Sequence, residues 1–147
     1  MNRVVKVHAE PVTVVSRLYA LDLTEAVLRM AVETGQRHAL QCTENDPPNL
    51  PGILAWGKSI RTLRESLVVE GWTKSNARNY PTVVHPSGKF AITASSGDSN
   101  TGIAGSTPSN RSEKGPVTRE AVAANQLSFA SIVPSFPVPD SVVRPQQ

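Results

Sequence analysis

The chain reads as an α+β protein: a small antiparallel sheet packed against two main helices, with a long Gly/Ser/Thr loop and a Pro-rich C-terminal tail. Three patterns carry that reading. Thr82-Val83-Val84-His85-Pro86-Ser87-Gly88-Lys89-Phe90-Ala91-Ile92-Thr93 has the form of a β-hairpin. Ile53, Trp56, Ile60, Leu63 and Leu67 step by three and four residues, as on one helix face. β-branched clusters near the N-terminus resemble further strand.

In chain order, Val4, Val5 and Val7, then Val12, Val14 and Val15, flank His8-Ala9-Glu10-Pro11. Residues 3–19 are therefore expected as strand. Pro11 has no N–H for a ladder, so the second run begins at Pro11 or lies at a sheet edge. The first helix is expected after Asp22, which would accept from the Glu25 amide in a capping box. Leu23, Val27, Met30, Ala31 and Thr34 then recur at helical spacing, with Gly35 as the candidate C-cap, or with the helix resuming through Gln41. Asn45-Asp46-Pro47-Pro48-Asn49 breaks the chain before the second helix. That helix should bury its whole seam, Trp56 included, expose Lys58, Arg61 and Glu65, and end at Gly71.

The hairpin follows from residue chemistry. Pro86 presets φ for a turn, Ser87 suits the next position, and Gly88 adopts positive φ without steric cost. Ser95 to Thr118 then holds four glycines and two prolines in 24 residues, too polar and too long for an ordinary connector. Thr118 would cap a short helix from Arg119 to about Gln126. Pro134, Pro137, Pro139 and Pro145 give the remainder an extended or disordered reading. The expected organisation is one domain over 1–126 and a tail over 127–147.

Composition narrows the function classes. The 147 residues are 39% apolar and 5% aromatic, so the core is expected to rest on aliphatic side chains, with Trp56, Trp72 and Phe90 as the few large anchors. The single cysteine, Cys42, forms no intramolecular disulfide. Lys6, His8 and Glu10 interrupt the N-terminal apolar residues, so no signal peptide is expected. No stretch approaches the length of a membrane span. The expected location is the cytoplasm.

The net charge of +3 is concentrated in Lys58, Arg61, Arg64, Lys74 and Arg78, set against Glu65 and Glu70. Such a stretch is either a solvated face or a sequence-independent nucleic-acid contact. No zinc finger, helix-turn-helix or aromatic RNA-binding strand accompanies it.

Gly97-Asp98-Ser99-Asn100-Thr101-Gly102 has the composition of an anion nest, with Lys89, Arg111 or Lys114 as counter-charge. It lacks the Gly-Lys-Ser/Thr ending of a phosphate loop. The alternative is a mobile surface loop. Metal chemistry is not expected: His8, His38, His85 and Cys42 have no paired zinc spacing, and Glu113 does not close a calcium loop on Asp98. Cys42 with His38 or His85, and Ser95 or Ser96 with His85 and Asp98, are the nucleophile–base sets to consider. Neither lies in a nucleophile signature, so no catalytic residue and no cofactor is assigned.

Pro81-Thr82-Val83-Val84-His85-Pro86-Ser87-Gly88, Ala91-Ile92, Gly97-Asp98, Thr101-Gly102, Lys114-Gly115-Pro116-Val117-Thr118 and Ala121-Val122 resemble a group of small uncharacterised bacterial proteins over roughly residues 50–126. That resemblance brings no known activity and no catalytic residues. It implies that longer members continue with ordered sequence where this chain becomes Pro-rich, making residues after Gln126 a divergent or truncated end. The functional expectation is a non-enzymatic accessory or binding protein, using the 82–118 hairpin and loop to contact a protein partner. The alternatives are a phosphorylated or nucleotide-like small molecule held in the loop, or weak nucleic-acid binding.

Overall fold

The computed structural model describes residues 7–109, together with Glu120 and Ala123. It is α+β, with three helices and a three-stranded antiparallel sheet. The elements run α1 (Pro11–Ala20), α2 (Glu25–Ala39), α3 (Leu50–Leu67), β1 (Thr73–Ser75), β2 (Thr82–Val84) and β3 (Ala91–Ile92). The fold divides into two compact units. One is drawn from Met1–Ser66 and Ala94–Glu113, the other from Leu67–Thr93 and Lys114–Gln147.

In the first unit, the expected N-terminal strand is corrected from Pro11 onward: Pro11–Ala20 is helical. Residues 7–9 have no regular structure, and 3–6 lie outside the described residues. Pro11 is the ambiguous signal. Its missing N–H suits a strand edge, but it equally suits the first helical position, where that N–H has no intrahelical acceptor. Pro11 occupies that position, Val14 N–H donates to Glu10 O, and Thr13 Oγ1 donates to the same carbonyl. Three valines lower helix propensity by tenths of a kcal/mol each, about 0.5; they do not prevent the helix.

A second correction follows. Asp22 does not cap α2. It sits at φ 53° just after α1, where Asp22 N–H donates to Tyr19 O and Leu23 N–H to Leu18 O. This is the left-handed ending of a helix, which Asp tolerates better than most residues. Thr24 caps α2 instead, its hydroxyl accepting from Val27 N–H at 3.3 Å.

Of the two readings at Gly35, the continuing helix is the one observed: Gly35 is buried inside α2, which runs to Ala39. A Cβ built on Gly35 would collide with Ala55 O and Ser59 Oγ of α3. The glycine therefore marks the point where two helix backbones approach closely, with Ala31, 2% exposed, one turn earlier. Ser59 Oγ donates to Ala55 O at 2.7 Å and Thr62 Oγ1 to Lys58 O at 2.8 Å. These bonds satisfy the hydroxyls of two residues that are themselves buried on α3. Leu23, Ile60 and Leu63 complete the buried apolar set among the described residues of this unit.

The α3 seam is buried in its C-terminal half only. Ile60, Leu63 and Leu67 are 3–4% exposed, whereas Ile53 is 51% and Trp56 43% exposed. The expectation of a fully buried Trp56 is corrected. No residue from 50 to 57 is buried, because periodicity establishes which face is apolar but not how far the neighbouring element extends along it. Lys58, expected to be exposed, is half-buried.

In contrast to Gly35, a methyl group added at Gly57 would meet nothing within 4 Å. Gly57→Ala should therefore stabilise the protein by about 0.5–1 kcal/mol, the ordinary gain of alanine over glycine in a helix interior. Urea denaturation measures this, and a loss of stability would contradict the open surroundings of Gly57.

In the second unit, Val68–Glu70 forms a 3-10 turn and Gly71, at φ 92°, ends the helical run as expected. Trp72 N–H returns to Leu67 O at 3.1 Å. The sheet order is β1-β2-β3. Thr73 pairs with Val84 and Ser75 with Thr82; Val83 pairs with Ile92 and Val84 with Ala91. Thr73–Ser75 thus replaces the N-terminal residues as third strand. Among the described residues of this unit, Leu67, Trp72, Val83 and Ala91 are the buried apolar ones, and Val83 is completely enclosed.

Between β1 and β2, Arg78 and Asn79 take φ of 55° and 57°. For arginine that conformation costs on the order of 1 kcal/mol. The helix expected over 119–126 lies outside the described residues, apart from Glu120 and Ala123, which are helical; the 127–147 tail lies wholly outside them.

Candidate functional site

The hairpin is built around its turn. His85 N–H donates to Phe90 O at 2.9 Å, closing the strands, and Gly88 N–H donates to His85 O at 2.8 Å across the turn. Gly88 sits at φ 70°, the conformation its position required. Side chains of His85 and Ser87 add further bonds across the turn. Ser87 N–H donates to His85 Nδ1 at 3.1 Å, Ser87 Oγ lies 2.7 Å from that nitrogen, and Lys89 N–H donates to Ser87 Oγ at 3.2 Å. Because a backbone N–H points at Nδ1, that atom is an acceptor and the neutral ring carries its proton on Nε2.

The strands meet a ring cluster below this turn. His85 stacks on Phe90 with centroids 4.5 Å apart and planes at 20°. Trp72 meets both edge-on, at 4.9 Å from His85 and 5.7 Å from Phe90. Edge-to-face aromatic pairs add about 0.5–1.5 kcal/mol beyond their buried area. Thr93 Oγ1 donates to Pro81 O at 2.7 Å, tying the two outer ends of the hairpin. Pro86, Ser87 and Lys89 remain exposed. The outcome is a stiff stem carrying an exposed polar tip. Trp72, expected as a large core anchor, is buried; its place beside His85 was not visible in the sequence because β1, three mostly exposed polar residues, carries no strand periodicity.

The loop after the hairpin belongs to the first unit, and Asp98 organises it. Asp98 N–H donates to Ser109 O at 2.9 Å, Asn100 N–H to Asp98 Oδ1 at 3.1 Å, and Thr101 N–H to Asp98 O at 3.1 Å. Three amides of the proposed nest are thus directed at acceptors within the chain. Gly102, at φ 81°, takes the left-handed conformation, whereas Gly97 does not, and a methyl on Gly97 would meet the Thr101 side chain. Gly97, Ser99, Asn100, Thr101 and Gly102 are exposed and Asp98 is half-buried. Of the counter-charges, Lys89 lies in the hairpin tip of the other unit; Arg111 and Lys114 lie outside the described residues.

The cations considered for nucleic acid are divided as well. Lys58, Arg61 and Arg64 lie on α3 in the first unit, Lys74 and Arg78 in the second. Arg61 donates to Glu65 at 2.8 Å. That hydrogen bond, and the charge of Glu65 behind it, hold the Arg61 guanidinium above its ordinary pKa. Arg78 pairs with Glu120. Arg61 and Arg78 are therefore already engaged by carboxylates.

His85 Nδ1, which a Ser–His–Asp set would turn toward Asp98, is occupied by the Ser87 turn. Cys42 is half-buried. Among the described residues, no group of three or more His, Cys, Asp or Glu is placed to hold a metal ion, and no helix is long and apolar enough to cross a membrane. Comparison with protein-family models, with curated proteins and with solved structures finds no match to this chain.

Proposed function

We propose that this chain is a non-enzymatic accessory or binding protein of the bacterial cytoplasm, and that the hairpin tip is its contact surface for a protein partner. One observation supports this above the others: the Trp72–His85–Phe90 ring cluster stiffens the stem beneath a tip on which Pro86, Ser87 and Lys89 are exposed. A pre-ordered tip loses little conformational entropy on binding, which favours affinity from a small contact. Lys89 gives the tip a positive charge and Pro86 an apolar surface, so the fitting partner offers an acidic residue beside an apolar patch. The cytoplasmic and bacterial parts of the reading rest on the lone cysteine and on the resemblance over residues 50–126.

The test compares proteins that co-purify from bacterial extract with the unmodified chain and with Lys89→Glu. The charge reversal should reduce recovery of the partner by about tenfold or more, since a charge facing its like at an interface is strongly unfavourable. Equal recovery with both proteins would remove the tip from the reading. A thermal-shift series with inorganic phosphate, nucleotides and duplex DNA separates the alternatives, because any ligand of the folded state raises apparent stability. A phosphate-dependent rise would favour the 97–102 loop; a DNA-dependent rise that salt abolishes would favour the α3 cations.

A further inference from the structure

We propose that the solvent-facing side of α2 is a self-association surface, and that its partner is a second copy of this chain docked antiparallel. Glu25, Arg29, Glu33 and Arg37 follow one another at intervals of four residues, all exposed. Residues four apart share a helix face, drifting by about 40° per step. The stripe therefore lies opposite Ala31 and Gly35, the two buried residues of α2.

Its signs alternate. Such a row is its own complement when reversed. In an antiparallel pair centred on Ala31, Glu25 meets Arg37 of the second copy and Arg29 meets Glu33, so all four positions pair; in a parallel pair in register every charge meets its like, and a parallel pair offset by one turn leaves the end charges unpaired. The charge order thus favours a second copy docked antiparallel, the arrangement that pairs all four charges. Glu25 and Arg29 already pair within the helix, and a guanidinium has five N–H donors, enough to hold a second carboxylate as well.

Apolar side chains stand beside the stripe. Met30 is 52% and Val32 65% exposed, one on each side of Ala31 in sequence. A two-fold axis at Ala31 brings each opposite its own copy. Leu40, 74% exposed, extends the surface just beyond the helix end. A 15-residue helix is only about 22 Å long, so this contact falls among small, reversible interfaces.

Sedimentation equilibrium of the unmodified chain at low salt should show a concentration-dependent rise from 15.8 kDa toward twice that mass. Raising salt from about 50 to about 500 mM should weaken the association about tenfold, because the charges are exposed and screened. Two variants carry the decisive comparison: Glu25→Arg with Glu33→Arg, and Arg29→Glu with Arg37→Glu. Each should remain monomeric alone, and mixing the two should restore the dimer. Circular dichroism checks that both keep their helix, and the salt series on the unmodified chain stands if either does not. A chain that stays monomeric at every concentration and salt overturns the proposal. So does a dimer that persists in both variants, which would assign the contact to another face.

Discussion

Gly35→Val should lower the unfolding free energy by about 3 kcal/mol, the upper part of the range for overpacking a closely packed site. The reason is local to the α2–α3 approach. A Cβ at Gly35 would run into Ala55 O, a backbone atom, and Ser59 Oγ, whose hydroxyl is already committed to that carbonyl. Neither group moves freely: the first would shift α3 itself, and the second would give up its hydrogen bond. Glycine in a helix interior costs about 1 kcal/mol relative to alanine, and at Gly35 the close approach outweighs that cost. Gly35→Ala should accordingly be destabilising despite its better propensity, opposite in sign to Gly57→Ala. Urea denaturation of the three variants decides it. A Gly35→Val protein as stable as the unmodified chain would show that the helices do not cross there.

The two tryptophans should behave differently. Trp72→Ala should cost about 3–5 kcal/mol, as for a fully buried large aromatic. Trp72 is 3% exposed and touches both His85 and Phe90 edge-on, so its removal leaves a cavity against the hairpin stem. Trp56, 43% exposed, should cost less than about half as much, since much of its area is already in water. Single-tryptophan variants give an independent reading by fluorescence. With Trp72 changed to Phe, the remaining Trp56 emission should be readily quenched by acrylamide. With Trp56 changed to Phe, the remaining Trp72 emission should be shielded. Equal quenching would overturn the assignment of Trp72 as the interior ring.

The elements legible in the sequence are those whose signals are local. Pro86, Ser87 and Gly88 each had one conformational role in a turn, and the observed turn uses all three. Gly71 ended a helical run because its left-handed φ is easy only for glycine. The α3 seam was visible because side chains three and four residues apart share a face whatever surrounds them. The misread positions are those where one residue type serves two geometries. Pro11 suits a strand edge and a first helical turn alike, and the valines after it did not decide between them. Asp22 can cap the start of one helix or close the end of another. Of the candidate site residues, Asp98 belonged to a loop recognised from composition, but its role of gathering the loop's own amides depends on an approach to Ser109 that no spacing reveals.

By itself, then, the amino-acid sequence determined the α+β class, the tight hairpin and the apolar face of α3, because each follows from backbone preferences and side-chain periodicity within a few residues. Tertiary structure alone decided that Gly35 lies at a helix contact instead of a helix end, and that the seam is covered at Leu63 and open at Trp56. It also decided that Trp72, His85 and Phe90 form one ring cluster. Those outcomes depend on which surfaces meet across long stretches of chain, and the free energy of such contacts comes from close packing, which a linear pattern of apolar and polar residues does not specify.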